Sequence, residues 1–134
     1  MHLREISSQT ANRVTRNPME PLRVFISDHL DGLRNAACLL AGARGGRLVD
    51  TIMDRLRDGA RISRCTWLAL RDLLGILTLE HVHDESRPEA GYFARIDPSD
   101  PVVDEICLLT DGLRAALENA LETQPEAMRL LAVA

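Results

Sequence analysis

The sequence has no lysine: all sixteen of its basic residues are arginine. Aromatic residues are nearly as scarce, with one Trp, one Tyr and two Phe in 134 residues. A core so poor in rings must be built from Leu, Ile, Val and Ala, a mix that favours helices over a β-sandwich. No apolar run approaches the roughly 18–20 residues that a membrane span needs. The opening MHLREISSQTANRVTRNP also lacks the apolar stretch of a secretory signal. The three cysteines, Cys38, Cys65 and Cys107, are odd in number, far apart and without any CxxC. That excludes a disulfide framework and a zinc ribbon, and points to buried, reduced thiols in a cytoplasmic protein.

What is present is an ordinary globular composition, 46% hydrophobic, in a chain of single-domain length. Residues 1–17 are polar and aperiodic, which predicts a mobile arm; 18–124 form one helical domain and 125–134 a tail. Charge is unevenly placed. Residues 1–72 hold twelve Arg against eight acids, whereas residues 73–134 hold four against twelve. Two faces with two kinds of partner would explain such a split.

Apolar residues recur at three- and four-residue steps from Pro21 through Leu22, Phe25, Ile26, Leu30, Leu33, Ala37 and Leu40, predicting one helix that stops near Gly42. A second helix fits RLVDTIMDRLRDG, ended by Gly59. A third fits RISRCTWLALRDLLG, with Ser63 as its N-cap. After Gly75 the texture changes. ILTLEHV and YFARI look like two short strands around HDESRPEAG, so a β-hairpin over 76–96 is expected; a helix running on to Val82 and then a loop is the other reading. Asp100 followed by Pro101 marks the start of a long amphipathic helix ending near Thr123. Its stripe, Val102, Ile106, Leu109, Leu113 and Leu117, is spaced to pack within the chain or across a homodimer.

His81 and His83 could offer two imidazoles to one metal ion, with Asp84, Glu85 or Glu89 adding an oxygen. A closed zinc site needs four ligands, and no second ligand pair exists elsewhere, so no metal site and no cofactor are assigned. No GxSxG, HExxH or Cys–His arrangement of family spacing suggests catalysis, and a non-enzymatic protein is expected. GARGGR at 42–47 lacks the lysine of a phosphate-binding loop and reads as a helix–helix turn. Trp67 reads as a core anchor.

The order helix, turn, helix and hairpin is that of a DNA-reading helix-turn-helix with a wing. The stretch ISRCTWLALRDLLGILTLEHVHDESRPEAGYFARID resembles the recognition helix and wing of winged-helix regulators, most nearly the MarR type. Asp84, Arg87 and YFARI stand where that wing carries its Asp, Arg and second strand. The resemblance covers about 35 residues. It implies a mainly α, winged-helix-like fold with one small β-hairpin; the alternative is an all-α bundle. It also implies a DNA-binding regulator, with Arg61, Arg64, Thr66 and Arg71 on or beside the recognition helix and Arg44, Arg47 and Arg87 at the phosphates. The competing expectation is a helical protein–protein interaction module, an adaptor, anti-activator or inhibitor, which the net charge of −4 and the acidic Asp84, Glu85 and Glu89 favour.

Overall fold

A computed structural model describes residues 20–57, 62–80 and 82–124. The expected N-terminal arm, the C-terminal tail, Gly59, Arg61 and His81 lie outside the described residues. Among the described residues six helices follow one another: α1 (Glu20–Asp28), α2 (Leu30–Ala41), α3 (Ala43–Leu56), α4 (Arg64–Leu77), α5 (Pro88–Phe93) and α6 (Pro101–Thr123). Among the described residues there is no strand. The β-hairpin and its wing are therefore corrected to an all-α bundle.

The physical reason lies at the end of α4. Gly75 does not stop this helix, which runs through Ile76 and Leu77. The chain closes one turn later. Leu79 N–H donates to the Ile76 carbonyl (3.2 Å) and Glu80 N–H to the Gly75 carbonyl (3.0 Å), with Leu79 itself at φ 62°. This is the Schellman closure, but a leucine holds the left-handed position that glycine usually takes. The apparent first strand is thus the last turn of a helix and its cap. The apparent second strand is split: Tyr92 and Phe93 end α5, and Ala94 and Arg95 turn out of it.

Local signals elsewhere hold. The Ser63 side chain caps α4 by accepting from Thr66 N–H (3.2 Å), and Asp100 caps α6 by accepting from Val102 N–H (3.0 Å), with Pro101 in the first turn. The first helix is not continuous; it breaks at His29 into α1 and α2. Gly42, at φ 72°, joins α2 to α3 in a conformation only glycine adopts easily, so the helix–helix turn stands. Here α3 begins at Ala43, before Gly45 and Gly46, which lie buried in its first turn. A Cβ on Gly45 would fall 2.2 Å from the Ala37 carbonyl oxygen, so its absence lets α3 press onto α2.

The α2 helix is central and touches all five others. Its inner face is Leu33, Ala36, Ala37, Leu40 and Ala41, small enough at three positions to admit close neighbours. Trp67 fills the core at 1% exposure, as an anchor should, although its indole N–H finds no acceptor among the described residues. The three cysteines are free, but all are exposed and not buried as expected. Each sits on the outward side of its helix, where the buried positions of α2, α4 and α6 do not fall.

Candidate functional site

A cleft of about 420 Å³ opens where the end of α4, the α5 segment and α6 meet over Leu40 of α2. Its walls are apolar: Leu77 and Leu79 from the α4 end, Phe93 and Ile96 from α5 and the turn after it, and Val103 and Ile106 from α6. Cys107, Asp111 and Arg114 also line it, on the α6 side. On a helix these positions follow at three- and four-residue steps, so they share one flank of α6.

The polar groups inside the cleft are already occupied. Thr110 is 8% exposed, and its hydroxyl lies 2.7 Å from the Ile106 carbonyl and 3.3 Å from that of Leu77. Thr78 likewise donates to the Gly75 carbonyl at 3.2 Å. The charges of Asp111 and Arg114 form no ion pair with other described residues. What remains to a ligand is apolar surface with an acid and a base beside it that no other described residue pairs. A concavity of this size and lining is the usual form of a binding site.

Leu79 sharpens the picture. Backbone held in the left-handed region by a branched side chain costs about 1–2 kcal/mol, and such strain gathers at binding and catalytic positions. Here it turns a leucine into the cleft wall. No sequence rule assigns a leucine to this conformation, and the cleft assembles three segments distant in sequence, so neither feature could be read beforehand.

The residues expected at a DNA interface are dispersed. Arg47 and Arg64 are exposed on α3 and α4, and Arg71 is half-buried. Thr66 is 3% exposed, with its hydroxyl 3.0 Å from that of Ser63, so it offers nothing outward. Arg44 and Arg87 converge on one carboxylate. Glu89, only 2% exposed, receives the Arg87 guanidinium at 3.0 Å, while Arg44 stands 3.6 Å from its other oxygen and 3.2 Å from Asp72. The longer of these contacts to Glu89 is electrostatic and beyond hydrogen-bonding distance, which leaves that buried oxygen without a donor among the described residues. The cluster pins α5 to the rest of the bundle.

The stripe expected at a homodimer interface faces inward. Ile106, Leu109, Leu113 and Leu117 are all buried in the chain's own core, and Val102 is half-buried. A dimer contact through those four would require α6 to leave that core. On the outward side stands Leu108, 73% exposed. Among the described residues no His, Cys, Asp and Glu side chains group as metal ligands. No described helix is long and apolar enough to cross a membrane. Set against known proteins, the chain matches no family model, no curated protein and no solved structure.

Proposed function

We propose that this chain is a non-enzymatic, cytoplasmic interaction module, an adaptor or inhibitor, whose α4–α5–α6 cleft receives a large apolar side chain of a partner protein. The observation that carries the reading is the apolar cleft walled by a strained Leu79. The cleft's hydroxyls are bonded to backbone carbonyls and its lining contains no histidine, which suits burial of an apolar group better than proton transfer. Free, exposed thiols suit a reducing compartment.

DNA binding is the second reading, favoured by the exposed Arg47 and Arg64. Against it, the described residues carry eleven arginines and seventeen carboxylates. Several of those arginines are also held in ion pairs, including Arg34 with Asp50 at 3.0 Å and Arg57 with Asp54 at 3.4 Å.

Two titrations separate the readings. With anilinonaphthalene sulfonate as an apolar probe, the wild type is expected to give enhanced fluorescence that Val103→Trp, which fills the cleft, abolishes. Equal enhancement by both proteins would remove the cleft from the proposal. In a salt series with random duplex DNA, the interaction module gives no binding at low salt. Binding that weakens steeply as salt rises would restore the regulator instead.

A further inference from the structure

The other flank of α6 carries a second concavity, about 620 Å³, of opposite character. Its apolar surface is Phe25, Leu30, Leu108 and Leu109, and its carboxylates are Asp28, Asp31 and Glu105; His29 also lines it, and no arginine does. The break at His29 brings the last residue of α1, Asp28, and the first turn of α2, with Asp31, around one corner. Glu105 reaches over from α6: its Oε1 stands 3.1 Å from where a Cβ on Gly32 would be. Across the groove, the bare backbone at Gly112 lets the Phe25 ring lie against α6, within 2.5 Å of the Cβ that position lacks.

Three features say what this groove is suited to hold. None of Asp28, Asp31 and Glu105 forms an ion pair with another described residue, whereas elsewhere carboxylates and arginines pair readily. Asp28 is the last residue of α1, and the last turn of that helix has no basic residue to offset its charge. The carboxylates are also too dispersed to ligate one metal ion. Uncompensated negative charge spread around an apolar floor is complementary to cations carried on an extended apolar chain, and Leu108, at 73% exposure, gives that chain a raised apolar contact.

We propose that the α1–α2–α6 groove docks an arginine- or lysine-bearing apolar segment of a partner protein. The apolar side chains of that segment rest on Phe25, Leu108 and Leu109, and its basic groups meet Asp28, Asp31 and Glu105. The groove shares no lining residue with the apolar cleft, so this proposal stands or falls separately from that one.

The test uses the full chain and two fluorescein-labelled peptides, one of alternating leucine and arginine and one of leucine and glutamate. The Leu/Arg peptide is expected to bind the wild type and to shift the amide resonances of Gly32 and Gly112. The variant D28N/D31N/E105Q should weaken binding roughly tenfold or more, since three exposed ion pairs are lost together. The variant E85Q/E118Q/E122Q removes as much charge outside the groove and should change affinity less than about twofold. All three of those glutamates are exposed, so the fold is not at stake. Equal weakening by both variants, absence of binding, or equal binding of the Leu/Glu peptide would each overturn the proposal. Leu108→Asn adds a check without adding charge: at 73% exposure the side chain lies outside the core, so binding should weaken severalfold, and unchanged affinity would overturn the proposal.

Discussion

Gln124 holds both backbone groups of Ile62. Ile62 N–H donates to the Gln124 side-chain oxygen at 2.8 Å, and the Gln124 amide nitrogen donates to the Ile62 carbonyl at 3.1 Å. The pair ties the residue after α6 to the residue before the α4 cap, and Gln124 is only 4% exposed. Gln124→Ala would leave a buried N–H and a buried carbonyl unpartnered. A loss of about 2–3 kcal/mol is expected, read as a lower urea midpoint with an unchanged slope. Gln124→Glu would set a buried carboxylate oxygen against the Ile62 carbonyl, so at neutral pH it should cost at least as much as the alanine.

Leu79→Gly sets two terms against each other. Glycine relieves the left-handed strain of about 1–2 kcal/mol, but it loosens the unfolded chain and removes a half-buried side chain from the cleft wall. The stability change should stay within about 1 kcal/mol. Binding of the apolar probe should drop severalfold all the same. A variant that became much less stable would show that Leu79 serves packing rather than the cleft.

Arg87→Ala should cost more than Arg64→Ala. The first leaves the buried Glu89 carboxylate with only the longer Arg44 contact, while Arg64 is exposed and forms no ion pair with another described residue. Stripping a partner from a buried charge costs about 1–3 kcal/mol or more, whereas an exposed site stays within about 0.5 kcal/mol. Thermal melts of both variants check the order. A difference in DNA affinity with no difference in stability would instead return Arg87 to the role expected from the sequence.

Asp97 offers a test by titration. Its carboxylate accepts from Ser99 N–H at 2.9 Å and from the Ser99 hydroxyl at 2.8 Å, in the turn leading to α6. The backbone bond first, and the hydroxyl second, hold its pKa below the ordinary 3.8. Because the folded value is depressed, the linked stability is fully present above the ordinary value and is lost as pH falls through the folded one. Ser99→Ala keeps the backbone donor and removes the hydroxyl. The Asp97 pKa should then rise part of the way towards 3.8, followed by carboxyl-carbon NMR.

Features written in a few adjacent residues were legible in the sequence: the Ser63 cap, the Asp100–Pro101 start of α6, the Gly42 turn and the amphipathic stripe of α6, though not that the stripe faces the chain's own core. The break at His29 has no glycine or proline to announce it. The end of α4 misled for a sharper reason, since Gly75 is a helix breaker by propensity, while Leu79 takes the left-handed position by virtue of its surroundings. Arg44 looked free because its partners come from elsewhere in the sequence, Asp72 of α4 and Glu89 of α5. Both concavities join segments that only folding brings together, and periodicity along one helix carries no record of them.

Glycine-to-alanine changes in two helices should have opposite signs. In an open helical position alanine is favoured by about 1 kcal/mol. Gly91 of α5 is such a position, with nothing within 4 Å of a Cβ placed there, so Gly91→Ala should stabilise slightly. Gly45 of α3 has the same propensity term, but its Cβ would stand 2.2 Å from the Ala37 carbonyl oxygen, a backbone atom that no rotamer change can move. The two helices must separate, and overpacking of this kind costs about 1–3 kcal/mol or more, enough to reverse the gain. Gly45→Ala should therefore melt lower than the wild type and Gly91→Ala no lower. If Gly45→Ala melted higher, α2 and α3 would not be in the close contact on which the packing of the bundle rests.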